Sequence, residues 1–227
     1  MPSPTVFFDI GATLITGPAL TPARQIAARL GLDEDQRRRL HQHLLTSSTG
    51  TSEALKTLLE ERYSLPAGPA WELAQNVWRS QTDAPCAVPG GRELLAALQA
   101  AGIEYGFISN IWPPYAAAFQ RLYGALAETA LQFFSFRLGI AKPDVRLFQQ
   151  AALRSRRACV MVGDSYEADM QPAMKVGFAT VWLLHRPEVE RVWLEKIHRG
   201  VLPAPRRMVS ALAALDVADV TCFEHQP

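Results

Sequence analysis

Short apolar segments recur along the chain, separated by stretches with the periodicity of helices. Each segment is rich in Val, Ile, Phe or Tyr, which predicts strands buried on both faces. Their alternation with helices indicates a parallel sheet covered by helices. The five predicted strands are 5–8, 104–108, 131–136, 158–162 and 179–183. We therefore expect an α/β fold with a core of five mostly parallel strands.

Residues 17–87 interrupt this alternation, because they contain no convincing strand. Four helices are predicted there instead, near 22–30, 34–46, 52–62 and 69–80. Thr21 followed by proline is a favourable helix start, Gly31 a favourable end, and Asp33 a favourable N-cap for the second helix.

A purely helical block inserted after the first strand predicts a separate cap domain at 17–87. The α/β core would then comprise 1–16 and 88–227. Flexible or turn-forming residues at both junctions are the expected hinges, namely Gly17-Pro18 and Pro89-Gly90-Gly91.

The charge balance of the chain excludes some classes of partner. The 227 residues carry 23 Lys+Arg and 22 Asp+Glu, a formal net charge of +1. Gripping nucleic acid needs a concentrated basic surface, so we expect no nucleic-acid partner. No apolar run approaches the ~18 residues of a membrane span, and no export signal is apparent, so we expect a cytoplasmic protein without a membrane partner. Three widely spaced cysteines indicate neither a disulfide framework nor a zinc site. None of these patterns predicts the oligomeric state.

Polar side chains follow three of the predicted strands, where parallel sheets bind their ligands. Asp9 ends the first strand, Ser109-Asn110 the second, and Asp164 the fourth, with Asp169 shortly after it. Each residue alone could be a helix cap or a buried hydrogen-bond acceptor. Carboxylates that meet at one sheet edge would need a cation between them, and oxygen ligands favour a hard ion such as Mg²⁺.

Lys142 supplies a positive charge just before a predicted helix in the stretch LGIAKPDVRLF. On its own it would be a surface lysine. Beside a metal ion, a hydroxyl and free backbone N–H groups, it would complete a pocket for a phosphate.

Four motifs, in order and at matching spacing, resemble those of the haloacid dehalogenase-like hydrolases. They read FFDIGATL, FISN, AKPD and GDSYEAD, and the helical block stands where that family carries a cap. The resemblance covers nearly the whole chain. It implies a Rossmann-like core with a helical cap, and a phosphatase-type hydrolase that uses Mg²⁺ and acts on a small phosphorylated metabolite.

The resemblance also implies roles for the matching residues. Asp9 would be the nucleophile that forms an aspartyl-phosphate, and Thr13 would hold its loop. Ser109, Asn110 and Lys142 would bind phosphate. Lys142 would also balance the charge on Asp9.

The metal site implied by the resemblance comprises Asp9, the backbone carbonyl of Gly11, Asp164 and Asp169, the last as a ligand or as support. Gly11 also departs from the family pattern. Phosphatases of this family usually carry an aspartate here, which protonates the leaving group and then activates water. Glycine keeps the backbone carbonyl but has no carboxyl side chain to act as general acid and base. Loss of such a group typically lowers the rate about 10²- to 10⁴-fold.

Four explanations of Gly11 are open. The enzyme could act slowly or only on good leaving groups, since relatives resembling sugar phosphatases also have glycine here. A cap residue could supply the proton, with candidates Glu53, Glu60, Glu61, His41 and His43. The chemistry could have changed to dehalogenation or phosphonate hydrolysis. Asp164 argues against a dehalogenase. Phosphonate hydrolysis would need a cap lysine that forms an imine, whereas Lys56, the only lysine of the cap, is expected at the surface. The chain could also be a catalytically impaired module that binds a phosphate ligand or a partner. We favour the first two explanations, because the nucleophile, the serine, the lysine and the metal acid are all present.

Two further segments lead to expectations that the structure can test. In IWPPY, Trp112 and Tyr115 are expected to pack rather than to contact a substrate. The stretch 186–207 has mixed charge and no functional signal, and a final helix is expected near 206–215.

Overall fold

A six-stranded parallel sheet lies at the centre of the computed structural model, which describes residues 3–47, 49–128 and 130–223. In spatial order the strands are β5 (Leu131–Phe134), β4 (Tyr105–Ser109), β1 (Thr5–Phe8), β6 (Cys159–Gly163), β7 (Ala179–Leu183) and β8 (Arg207–Val209). All five predicted strands are present, and every neighbouring pair is parallel. The predicted Rossmann-like α/β fold class is therefore confirmed.

The sixth strand corrects the sequence prediction near the end of the chain. A helix was expected near 206–215, but β8 pairs with β7 there, and Leu184 N–H donates to Val209 O at 2.7 Å. A 3₁₀ turn and a short helix follow, Leu212–Ala214 and α12 (Val217–Thr221). Pairing with the exposed edge of β7 outweighs the local helical pattern, because it satisfies backbone groups of both strands.

The helices cover the sheet and form the block between β1 and β4. They are α1 (Pro22–Leu30), α2 (Glu34–Thr46), α3 (Ser52–Tyr63), α4 (Ala67–Asp83), α5 (Gly91–Ala100), α6 (Pro113–Tyr123), α7 (Ala125–Glu128), α8 (Ser135–Leu138), α9 (Val145–Ser155), α10 (Gln171–Lys175) and α11 (Arg191–His198). A π-helical turn, Tyr166–Met170, precedes α10, which has Pro172 in its first turn. Within the described ranges, no helix combines the length and the apolar character needed to cross a bilayer.

The two faces of the sheet bury separate apolar clusters. Phe7 and Phe8 are adjacent on β1, and alternation along the strand places them in different clusters, each fully buried. Phe8 packs with Phe107 and Phe119 on one face. Phe7 packs with Trp182 on the other. Both faces of β1 are thus packed immediately before Asp9.

Helices α1–α4 enclose a third buried cluster, which also includes Trp112 from the start of α6. Local signals set their ends as predicted: the Thr21 hydroxyl accepts from Arg24 N–H, Gly31 adopts φ 65°, and Asp33 forms a capping box with Gln36. The division into a core and a cap at 17–87 stays a prediction.

A two-stranded antiparallel ribbon connects this helical block to the sheet. Its strands are β2 (Ile15–Thr16) and β3 (Cys86–Ala87), paired Ile15 to Ala87 and Thr16 to Cys86. The chain therefore enters the helical block and returns from it through two neighbouring strands, β2 before α1 and β3 after α4.

Candidate active site

The polar strand ends meet at one edge of the sheet. Strand β1 lies between β4 and β6, so Asp9, Ser109 and Asp164 follow or end three neighbouring strands. Asp169 joins them from the π-helical turn after β6. Carboxylate oxygens of Asp9, Asp164 and Asp169 lie within 4.8 Å of one another. The structure therefore brings together three carboxylates that are separated in sequence.

The loop after β1 turns tightly and fixes Asp9. Asp9 N–H donates to Val162 O at 2.9 Å, and Leu14 N–H and Ile15 N–H both donate to Ile10 O. Thr13 is fully buried in this loop, and its Oγ1 atom has no hydrogen-bond partner among the residues that the structure describes. An unpaired buried hydroxyl is costly unless a ligand or water completes it, so Thr13 is a candidate to contact whatever binds beside Asp9.

Lys142 is buried between two of the carboxylates. Its Nζ donates to Asp9 Oδ1 at 2.6 Å and to Asp169 Oδ1 at 2.5 Å, and its side chain is 3% exposed. Burial alone would lower the pKa of Lys142, but the charges of Asp169 and Asp9 outweigh burial and hold that pKa above the ordinary lysine value. Asp9 and Asp169 therefore favour the positively charged form of Lys142.

Asn110 holds the backbone of that lysine. Its Nδ2 donates to Lys142 O at 2.9 Å, and Lys142 N–H donates to Asn110 Oδ1 at 2.7 Å. Both polar ends of the Asn110 side chain are thus engaged with Lys142. A contact of Asn110 with phosphate stays a prediction, whereas its role in placing Lys142 is visible.

Ser109 ends β4, and its side chain is buried, 1% exposed for the residue as a whole. Next to it, Ser135 Oγ accepts from Ile111 N–H at 3.0 Å and donates to Ile111 O at 3.1 Å. This pair of bonds fixes the segment after Ser109. Strand β5 ends earlier than predicted, at Phe134, because Ser135 begins α8.

Asp169 is held on both oxygens. Oδ1 accepts from Lys142, and Oδ2 accepts from Ser165 N–H at 3.1 Å. The carboxylate rests against Gly163, where a Cβ atom would lie 2.6 Å from Asp169 Cγ. Burial raises the pKa of Asp169 to about 7; Lys142 opposes this rise, and Asp9 and Asp164 add to it. These contacts favour a supporting role for Asp169.

Asp164 contacts a residue that the sequence did not single out. Trp182 Nε1–H donates to Asp164 O at 3.0 Å, and Arg186 Nη2 lies 2.5 Å from Asp164 Oδ2. Burial and the nearby Asp9 raise the pKa of Asp164, whereas Arg186 and then Lys142 lower it. The position of Arg186 just beyond the carboxyl end of β7 is the signal that could have drawn attention to it.

Tyr115 occupies the space beside Gly11. A Cβ atom at Gly11 would meet Tyr115 Cε1 at 3.8 Å, and one at Gly17 would meet Tyr115 Cε2 at 2.8 Å. The Tyr115 hydroxyl donates to Ile15 O in a long bond of 3.4 Å. Burial raises the pKa of Tyr115, and the charges of Asp9 and Asp164 raise it further. Tyr115 also packs against the apolar cluster that contains Phe8 and against the cluster of the helical block, as predicted from the sequence.

Glu60, one candidate proton donor of the helical block, has a partner within that block. Lys56 Nζ lies 2.8 Å from Glu60 Oε2 at the partly exposed surface, as expected for a surface lysine. Burial lowers the pKa of His41, as do Arg37 and Arg24, and burial lowers that of His43, with Arg62 adding. The assignment of any of them as proton donor stays a prediction.

The donor set fits a hard divalent cation and a phosphoryl group. Carboxylate oxygens are the ligands that Mg²⁺ prefers, and three carboxylates each place an oxygen within 4.8 Å of the others. The unpaired hydroxyl of Thr13 and the ammonium group of Lys142 are suited to phosphate oxygens.

Comparison with known proteins agrees with this arrangement. The family model described as haloacid dehalogenase-like hydrolase matches residues 4–177. A ribulose-1,5-bisphosphate 5-phosphatase from Halopiger xanaduensis is 30% identical over 197 residues, covering 78% of this chain and 82% of that protein. The pyrimidine 5'-nucleotidase YjjG from Escherichia coli is 30% identical over 111 residues, covering 46% and 49%.

Two solved structures share the fold over almost the whole chain. CbbY from Rhodobacter sphaeroides, in complex with xylulose-(1,5)bisphosphate, gives a TM-score of 0.61 at 16% identity, covering 97% of this chain and 100% of that one. A HAD family hydrolase from Deinococcus radiodurans, with bound phosphate and sodium, gives 0.59 at 20% identity, covering 93% of each chain. With the family model matching well over half of its residues, the chain belongs to the haloacid dehalogenase-like hydrolases.

Proposed function

We propose that this hydrolase is a Mg²⁺-dependent phosphatase that cleaves a small phosphomonoester through an aspartyl-phosphate on Asp9. The observation that carries the proposal is the hydrogen-bonded group Asp9–Lys142–Asp169, with Asp164 within 4.8 Å at the same sheet edge. A carboxylate nucleophile, a fixed positive charge and a site for a divalent cation are the three parts that phosphoryl transfer needs.

In the first step, a carboxylate oxygen of Asp9 attacks phosphorus, and the bond from phosphorus to the ester oxygen breaks. Lys142 fixes the rotation of the Asp9 carboxylate and neutralises part of the charge that gathers on the phosphoryl oxygens. Thr13 and Ser109 supply hydroxyl donors to those oxygens. In the second step, water attacks phosphorus and the bond from phosphorus to the Asp9 oxygen breaks. The protons of the water leave with the inorganic phosphate, and the carboxylate of Asp9 is restored.

Asp9, the Gly11 carbonyl and Asp164 would hold Mg²⁺, with Asp169 keeping Lys142 in place beside them. When bound, the ion supplies positive charge that offsets the phosphoryl oxygens and the carboxylates around them.

Gly11 limits the first step. The ester oxygen leaves as an alkoxide unless it receives a proton, and Gly11 has no side chain to provide one. We therefore infer that turnover favours esters whose leaving group is already acidic, unless a residue of the helical block donates the proton. The rate with a poor leaving group is expected to fall about 10²- to 10⁴-fold below that of a phosphatase with the acid in place.

The names of the relatives suggest the first substrates to test. One is a ribulose-1,5-bisphosphate 5-phosphatase and another a pyrimidine 5'-nucleotidase. We infer a small phosphorylated metabolite of the sugar-phosphate or nucleotide kind, chosen by side chains of the helical block that face Asp9 when that block closes as a cap.

The proposal is tested with p-nitrophenyl phosphate, whose leaving group needs little protonation. Release of p-nitrophenol is measured with Mg²⁺ and with EDTA, for the wild type and for Asp9→Asn, which keeps the shape of the nucleophile but not its charge. We expect Mg²⁺-dependent turnover that is lost in Asp9→Asn. Phosphate release from ribulose-1,5-bisphosphate and pyrimidine 5'-monophosphates then tests the substrate class.

Equal rates for the wild type and Asp9→Asn would refute the phosphatase. Such a result would favour the second candidate, a module that binds a phosphate ligand or a partner without turnover, for which Gly11 is the motivating observation. Phosphate that stabilises the wild type against heat without any turnover would support that candidate.

A further inference from the structure

Arg186 lies in the loop between β7 and α11, and it contacts a carboxylate of the candidate metal site. Its Nη2 is 2.5 Å from Asp164 Oδ2. The Asp164 side chain is 12% exposed, whereas that of Arg186 is 48% exposed. The carboxylate is therefore fixed inside the site, and the arginine reaches it from the surface.

The two cations of the site differ in how firmly they are held. Lys142 donates to both Asp9 and Asp169 and is almost fully buried, so its departure would leave two buried carboxylates unpaired. Arg186 contacts Asp164 through one nitrogen, and half of its side chain is in water. Releasing Arg186 costs only the small energy of a partly exposed ion pair.

The charges at the site also favour an exchange. Among the described residues, three carboxylates within 4.8 Å of one another face two cations, so the carboxylates outnumber the cations. A divalent cation in place of Arg186 would supply two positive charges where the arginine supplies one. Carboxylates this close repel one another. Replacing the single positive charge of Arg186 with a doubly charged cation therefore lowers the electrostatic free energy of the group.

The surrounding backbone lets the Arg186 side chain move alone. Trp182 Nε1–H holds Asp164 O, and Val189 N–H donates to Arg186 O at 3.1 Å. At the end of the loop, Glu190 Oε2 accepts from Tyr166 N–H at 3.0 Å. With the loop fastened at these points, rotation of the long arginine side chain is enough to free Asp164.

We propose that Arg186 is a competing cation of the metal site, which neutralises Asp164 until a divalent cation takes that carboxylate. Arg186 thereby weakens Mg²⁺ binding and sets the Mg²⁺ concentration that the site requires. The inference rests on the proposed function only in that Mg²⁺ binds at Asp164. It adds a positioning residue that lies outside the four motifs.

The test measures Mg²⁺ binding to the full chain by isothermal titration calorimetry, so the readout is affinity rather than turnover. Arg186→Gln removes the charge, and Arg186→Lys keeps it. We expect Arg186→Gln to bind Mg²⁺ about five- to tenfold more tightly than the wild type, with Arg186→Lys in between. The matched control is Arg191→Gln, because Arg191 pairs with Glu195 at 3.4 Å and its loss removes the same charge from the next helix.

A tighter Arg186→Gln together with an unchanged Arg191→Gln supports competition. Equal tightening in both variants would overturn it, because a general change in electrostatic potential would then explain the result. Unchanged affinity in Arg186→Gln would overturn it as well. If neither the wild type nor Arg186→Gln binds Mg²⁺, the metal part of the proposed function fails with it, which distinguishes the two failures.

Thermal unfolding in EDTA is a second, independent measurement. Without metal, Arg186→Gln leaves Asp164 without its cation, so its Tm is expected to fall below that of the wild type. Added Mg²⁺ is expected to raise the Tm of Arg186→Gln more than that of the wild type. An equal Mg²⁺-induced rise in both proteins would contradict the competition.

Discussion

Gly163 and Gly11 offer a matched test of the site's geometry, because both lie in the candidate active site and neither has a positive φ. At Gly163 a Cβ atom would lie 2.6 Å from Asp169 Cγ, which no real contact allows. Asp169 cannot move aside at low cost, since it is 1% exposed and held by Lys142 and Ser165 N–H. At Gly11 the new Cβ would meet Tyr115 at an ordinary 3.8 Å.

Gly163→Ala is therefore expected to destabilise the fold by about 2 kcal/mol, the usual cost of forcing a methyl group into a packed site. It should also lower turnover about 10²-fold, because a shift of Asp169 moves Lys142 and with it Asp9. Gly11→Ala should leave the free energy of unfolding unchanged or raise it by up to about 1 kcal/mol, as alanine restricts the unfolded chain.

Urea denaturation gives the free energies of unfolding, and p-nitrophenyl phosphate hydrolysis with Mg²⁺ gives the rates. Equal stability and equal activity of the two variants would refute the reasoning, because it would mean that Asp169 is not held where the structure has it. A Gly11→Ala variant that loses activity while Gly163→Ala keeps it would refute it too.

Three further predictions follow from buried groups. Lys142→Met keeps the volume of the side chain but leaves Asp9 and Asp169 without their cation. We expect the free energy of unfolding in urea to fall by about 3–5 kcal/mol and turnover to be unmeasurable; unchanged stability would contradict the buried network. Burial lowers the pKa of His41 in the folded chain, so the unfolded chain binds the proton more readily: the free energy of unfolding should be full above the ordinary histidine pKa and fall as the pH drops from ~7.5 to ~5, less steeply in His41→Gln, and parallel pH profiles would exclude this histidine as the cause. Trp112→Ala removes a 3%-exposed indole from the cluster of the helical block and should cost about 3–5 kcal/mol by thermal or urea unfolding, whereas a cost below about 1 kcal/mol would mean that the cluster is loosely packed.

Local patterns were enough to predict most of the fold. Helix α1 starts after Thr21 and stops at Gly31 because capping depends on neighbouring residues alone. The five predicted strands are short and apolar, and that composition is visible without any tertiary knowledge. Strand β8 could not be predicted in this way, because it exists only through its pairing with the edge of β7.

The same distinction, between features set by local sequence and features set by tertiary contacts, applies to the residues of the candidate site. Asp9, Asp164 and Asp169 could be picked out because each follows a strand end or lies close to one. Arg186 was not singled out, because its place just beyond the predicted strand 179–183 points to the site only once β6 and β7 are known to be neighbours. Tyr115 was correctly expected to pack, but its position over Gly11 and Gly17 depends on the meeting of α6 with the loop after β1.

The ribbon of β2 and β3 has a consequence for the evolution and engineering of this chain. Because Thr16 faces Cys86 across an antiparallel pair, residues 17–85 are inserted at what would otherwise be a simple hairpin. Homologous blocks of different length could be exchanged at this junction without altering the register of any strand in the large sheet. Trp112 and Tyr115 lie outside the exchanged segment but pack with the block's apolar cluster, so a new block would have to accommodate both side chains.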